Sequence, residues 1–120
     1  MRSAILALFL LFGFTISAQA GEADVVKVRT AKERGGYTFI VSVRHGDRGW
    51  KHYADRWEVL SPNGKKIIAV RKLLHPHVNE QPFTRRLSGV KIPRRYKSVL
   101  VRAHDSVHGY GGRVVRVKIR

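Results

Sequence analysis

The sequence predicts an all-β fold: an antiparallel β-sandwich of immunoglobulin or fibronectin type III kind with about seven strands. Three observations carry this expectation. Beyond Gly21 the apolar residues recur with a period of two, the spacing of a half-buried strand rather than a helix. Those positions are rich in valine and isoleucine, whose β-branching suits a pleated surface. Turn-forming strings then cut the chain into short pieces, and no stretch carries a credible amphipathic helix. A small barrel is the competing architecture.

The strands are expected at 24–31, 37–45, 56–61, 65–74, 83–91, 98–104 and 113–119. Arg34-Gly35-Gly36 joins the first two, and Tyr37, Phe39, Val41 and Val43 alternate along the second. Trp57 lies near the start of the third, where such sandwiches bury a tryptophan. Ser61-Pro62-Asn63-Gly64 is a strong hairpin turn into the fourth. Ile92-Pro93-Arg94-Arg95 bends the chain before the sixth, where Val99, Val101 and Ala103 alternate. Gly109, Gly111 and Gly112 loosen the entry to the last, with Val115, Val117 and Ile119 on one face.

Antiparallel succession sends alternate connections to opposite ends. One end receives the 45–55, 74–82 and 104–112 loops, which hold every histidine of the chain: His45, His52, His75, His77, His104 and His108. The other receives Lys32, Arg34, Lys65, Lys66, Arg94, Arg95 and Lys97. The molecule is therefore expected to be bipolar, with a histidine-rich rim opposite a basic one.

The first 20 residues read as a cleaved secretory signal. Arg2 precedes an apolar run from Ala4 to Ile16, and Ala18-Gln19-Ala20 gives the small-x-small cleavage pattern. The run is shorter than the roughly 20 residues of a comfortable membrane span, so no transmembrane segment is expected in the mature chain, 21–120. That chain is long enough for one domain. With no cysteine it has neither a disulfide nor a lipid-attachment site, and a periplasmic or secreted location follows. The formal charge of +16 favours anionic partners such as envelope polymers or lipid headgroups. Export argues against a nucleic-acid role.

Neutral imidazole is the common nitrogen ligand of transition metals. In His75-Pro76-His77 an extended backbone points both rings to one side. His104 and His108 flank a turn that can close a chelate, and these four are the preferred ligands, with His45 and His52 next. Asp47, Asp55, Glu80 and Asp105 stand nearby as occasional ligands or as carboxylates that orient the imidazoles. The set suits Zn²⁺ or Cu²⁺. Cu⁺ does not fit, because the single methionine is Met1.

The alternative is that these histidines hold loops in shape, while Trp50, Tyr53 and Tyr110 contact a protein or glycan and the basic end meets anionic polymers. Enzymatic chemistry has the least support, since GxSxG, HExxH and glycine-rich phosphate loops are all missing.

The stretches HPHVNEQPFTR and AHDSVHGYGG, with GYTFIVSVRHGDRGWKHYADRWEVLSPNG, resemble those of a family of small secreted proteobacterial proteins. The resemblance spans nearly all of the mature chain. It implies secretion and a compact domain, and carries no mechanism. The architecture is also similar to that of small copper-carrying periplasmic sandwiches, whose histidine and methionine motifs this chain does not match.

Overall fold

A computed structural model describes residues 21–120; the expected signal segment, 1–20, lies outside the described residues. Seven strands form two antiparallel sheets: β1 (Asp24–Glu33), β2 (Gly36–Arg44), β3 (Ala54–Leu60), β4 (Ile67–Lys72), β5 (Phe83–Val90), β6 (Ser98–Asp105) and β7 (Val115–Lys118). One sheet has the order β1-β2-β5 and the other β4-β3-β6-β7. The fourth strand thus joins the third. In the immunoglobulin constant type it would join the first sheet, so the order is that of fibronectin type III sandwiches, a distinction the sequence left open.

The period-two positions face inward. Phe39, Val41 and Val43 of β2 meet Trp57 and Val59 of β3 and Val99, Val101 and Ala103 of β6, all buried. Val25, Phe83 and Leu73 close the core at one end, and Ile92 and Val90 at the other. Val115, Val117 and Ile119 pack against it from the edge strand β7.

Strand ends differ from expectation where polar groups compete for the backbone. β4 starts at Ile67 rather than 65 because the Ser61–Gly64 turn reaches further. Ser61 Oγ accepts from the Lys66 amide at 3.0 Å, and Asn63 Oδ1 accepts from the Lys65 amide at 2.9 Å. Gly64 closes this turn at φ +76°, a region that glycine enters without strain. β1 runs on to Glu33, paired with Gly36 across a two-residue turn.

Connections β2–β3, β4–β5 and β6–β7 fall at one pole and the other three at the opposite pole. On the outer face of the larger sheet, Glu58 is only 2% exposed. It accepts from Arg56 Nε at 2.9 Å, Arg102 Nε at 2.8 Å and the Tyr110 hydroxyl at 2.9 Å. The Tyr110 ring lies 3.7 Å from the Arg102 guanidinium carbon and lids the group. Burial opposes the carboxylate, but the hydrogen bonds from Arg56, Arg102 and Tyr110 outweigh it and hold its pKa below the ordinary 4.5.

A carboxylate with a depressed folded pKa stabilises the fold above its unfolded value, and that stability is lost as pH falls through the folded value. Glu58→Gln is therefore expected to cost about 2 kcal/mol near neutrality, the scale of hydrogen bonds to a charged group. The gap to the parent protein should narrow as pH is lowered below about 4.5. Urea denaturation of both proteins across that range checks it; a gap independent of pH contradicts the assignment.

Candidate metal centre

The histidine pole is organised around one buried imidazole. His45 follows the last residue of β2, and both its ring nitrogens meet carboxylates: Nδ1 bonds Asp47 and Nε2 bonds Asp105, with all three side chains fully buried. His52, on the same connection, brings its Nε2 to 2.8 Å from the same oxygen, Asp105 Oδ2. The Gly21 carbonyl oxygen lies 3.0 Å from His45 Nε2 and 3.2 Å from His52 Nε2. One ligand atom from each of His45, His52 and Asp105 falls within 4.8 Å of the others. His108 stands at the rim, its ring centroid 5.1 Å from that of His52.

Backbone geometry fixes the carboxylates. Asp105 ends β6, and its Oδ1 accepts the amides of Val107 at 2.6 Å and His108 at 2.8 Å as the chain turns. Asp47 accepts the amides of Ala54 and His77 as well as His45 Nδ1–H. Gln81 adds a clasp, accepting the His45 amide and donating to the His77 carbonyl, each at 2.8 Å. Three connections and the start of β1 are thereby sewn together.

Burial disfavours a charge on His45, but the hydrogen bonds and charges of Asp47 and Asp105 prevail and raise its pKa. Burial likewise opposes ionisation of Asp105, yet the His108 and Val107 amides, His45 and His52 lower its pKa to about 2. Both ring nitrogens of His45 thus face carboxylates, an arrangement that favours its protonated form.

The donor set fits a divalent transition metal. Two imidazole nitrogens, a carboxylate oxygen and a carbonyl oxygen converge, and Asp47 behind His45 completes the carboxylate–histidine pairing that orients metal-binding imidazoles. Tetrahedral bonds of 2.0–2.2 Å place ligand atoms roughly 3.4 Å apart. The His52–Asp105 separation of 2.8 Å must therefore open slightly to admit an ion.

These positions differ from the ranking of ligands expected from spacing. His75 and His77 do pair, with centroids 4.6 Å apart, but away from the convergence point. His77 stacks on Phe83 at 3.9 Å, and its Nε2 lies 2.9 Å from Arg85 Nη2. Burial, then the charges of Arg85 and His75, lower its pKa. Alternation along β6 turns His104 outward as it turns Asp105 inward, so His104 bonds Asp55 at 2.7 Å and meets Tyr110 edge-on. For the same reason His104 faces away from the side of the sheet that carries Asp105.

Asp105 moves from a supporting carboxylate to a member of the cluster, while Glu80 pairs with Arg85 at 3.6 Å. Trp50 is 67% exposed and stands edge-on to Tyr53. Tyr110 instead serves the Glu58 network. The sequence reading overlooked Glu58, Arg56 and Arg102, whose partnership depends on the β3–β6 register. The start of the first strand at Gly21 also put the mature amine near this rim, and the Gly21 carbonyl does reach the cluster.

At the opposite pole the basic residues line two clefts. One, of about 460 Å³, lies between the Ser61–Lys66 turn and Arg95–Tyr96 and includes Lys65 and Lys66. The other, of about 550 Å³, gathers Lys32, Arg34, Lys91, Arg94 and Arg120. Lys97 is exposed nearby and pairs through its carbonyl with the end of β7.

Asp47→Ala leaves His45 Nδ1 and the amides of Ala54 and His77 without their shared acceptor. The expected loss is about 3–5 kcal/mol, the cost of breaking a buried ion pair from one side. His75→Ala, at an exposed ring, should cost less than about 0.5 kcal/mol. Chemical denaturation of the two variants tests the contrast; equal effects contradict the central role of Asp47.

No protein-family model matches the chain, and no solved structure matches it significantly. A protein of Halomicrobium mukohataei named "Putative lipoprotein" is 41% identical over 98 residues, covering 80% of this chain and 47% of the relative. The chain thus spans about half the length of the curated relative it matches.

Proposed function

We propose that the protein is an exported β-sandwich that binds one divalent transition ion, Zn²⁺ or Cu²⁺, at its histidine pole, for binding or delivery rather than catalysis. The observation that carries this reading is the convergence of His45 Nε2, His52 Nε2 and Asp105 Oδ2, with Asp47 fixing His45 from behind. Export is supported by the signal-like residues 1–20 and by the lipoprotein name of the Halomicrobium relative. A periplasmic destination, and membership in the family of small secreted proteobacterial proteins that the motifs resemble, belong to the same proposal.

Metal ligands must be deprotonated, so the ion takes the place of the proton that His45 holds between its carboxylates. His52 is 22% exposed at its side chain and gives the ion a path from solvent. The carboxylate leaves the centre less positive, and the carbonyl of Gly21 adds a hard donor.

Calorimetric titration of the processed protein with Zn²⁺ and Cu²⁺ should give roughly one ion per chain, bound tighter than about 10 µM, which corresponds to ~7 kcal/mol. His52→Ala should weaken binding at least about tenfold, equivalent to 1.4 kcal/mol. His75→Ala and His104→Ala should leave it unchanged. Failure of both ions to bind below that limit removes the reading.

A second reading concerns the other pole, where the cation-lined clefts favour phosphate- and carboxylate-bearing envelope polymers or lipid headgroups. Vesicles rich in anionic lipid should bind the protein at low salt and release it at ~0.5 M NaCl, where the Debye length is about 4 Å. Lys65→Glu with Arg95→Glu should weaken that binding more than reversal of two cations elsewhere. Equal losses from both pairs contradict a dedicated surface.

A further inference from the structure

We infer that the α-amino group of Gly21, freed by removal of residues 1–20, is itself a ligand of the metal centre, so that export processing completes the site. This rests on the metal-binding reading above and adds to it a donor that the precursor lacks.

Gly21 is built into the centre. Its carbonyl oxygen reaches the same two imidazole nitrogens, His45 Nε2 and His52 Nε2, that face Asp105. Its φ is +96°, and a Cβ there would lie 2.7 Å from His108 Nε2 and 3.6 Å from His52 Cε1. A side chain at this position would meet the end of the His108 ring, so glycine lets that imidazole approach. Gly21 Cα accordingly stands among three imidazoles.

The following residues keep it there. The Val25 amide donates to the Arg113 carbonyl at 3.0 Å, and the Arg113 amide donates to Asp24 Oδ1 at 2.7 Å. Gly112 leaves room for the Ala23 carbonyl, which a side chain at that position would strike. Glu22 buries Oε1 without a hydrogen-bond partner among the described residues, beside Gly111. An acceptor is thus left unsatisfied one residue from the point where cleavage creates new N–H donors.

The chemistry of the cleavage position supplies the rest. Ala18-Gln19-Ala20 precedes Gly21 directly, and cutting after Ala20 converts the Gly21 amide nitrogen into a primary amine. The neutral amide is a poor donor to a metal. The amine gives its lone pair to the ion and releases its proton to solvent. With the carbonyl oxygen of the same residue, the amine closes a five-membered chelate ring. An ion drawn to His45, His52 and Asp105 lies within reach of both atoms. The precursor therefore binds more weakly than the mature chain.

The test uses the full chain expressed with its own residues 1–20, recovered after export, with the new N-terminus established by intact mass. Three preparations are titrated with Cu²⁺: the processed protein, a form with Ser-Gly inserted between Ala20 and Gly21, and His52→Ala. The insertion keeps every side-chain donor and moves the amine away. It should weaken binding at least about tenfold (1.4 kcal/mol) while leaving the metal-free melting temperature close to that of the parent.

Acetylation of the α-amine on the folded, processed protein, verified on the N-terminal peptide, should reproduce the loss without changing the sequence. The Cu²⁺ electron paramagnetic resonance spectrum should lose one nitrogen coupling in both modified forms. Unchanged affinity after insertion and acetylation, with His52→Ala still weakened, overturns the amine ligand and leaves the metal site standing. A processed N-terminus other than Gly21 also overturns it. Absence of binding by the processed protein sinks the metal reading and this inference together.

Discussion

The pole of this sandwich depends on one chain of buried charge, Asp47–His45–Asp105. Removing such groups from water costs several kcal/mol per ion unless each is paired and its remaining hydrogen-bonding capacity filled. The fold meets that demand with backbone. Asp47 takes amides from Ala54 and His77, and Asp105 takes those of Val107 and His108. Each long connection at this pole thus supplies donors to a carboxylate it shares with another. None of the three can change shape alone without exposing or stranding a charge. The loops lack regular structure, yet shared carboxylates tie them to one another.

The same arrangement makes a structural clamp of the atoms proposed to hold a metal ion. Two carboxylates around one imidazole leave the buried cluster rich in negative charge. In the proposed metal-binding role a divalent ion would correct that imbalance with ligands already oriented, since His45 is fixed through Nδ1 and Asp105 through Oδ1. The cost of ordering ligands is thereby met during folding rather than at binding. The ion has only to separate groups that now touch.

Much of the fold was legible because its signals are local. Alternation at 37–43, 99–103 and 115–119 and the Ser61–Gly64 turn identify strands and their order without any long-range information. Counting connections then brings the histidine loops to one end, and His45, His52, Asp105 and the rim residue His108 do meet there. Which histidines converge was not legible. Spacing favoured His75 and His77, but stacking on Phe83 and the reach of Arg85 hold His77 elsewhere. A single step in strand parity separates His104 from Asp105. Glu58 was hidden for a related reason: a carboxylate among Trp57, Val59 and Leu60 declares its partners only once β3 and β6 are in register.

Charge is segregated as firmly as structure. Of the chain's eight carboxylates, Glu22, Asp24, Asp47, Asp55, Glu80 and Asp105 lie at or beside the histidine pole, whereas Glu33 alone joins the cation-lined cleft at the other. A uniformly spread charge of +16 would repel a dication from any surface. Gathering the acids around the imidazoles removes that barrier locally. Strands of eight to ten residues separate the poles by roughly 25–30 Å, about three times the Debye length of ~8 Å at physiological salt. At that distance the basic pole barely perturbs the histidine pole, so the proposed polyanion and metal-ion contacts are electrostatically independent. Salt that detaches the first should leave the second in place, because the cluster is buried and its charges are in direct contact.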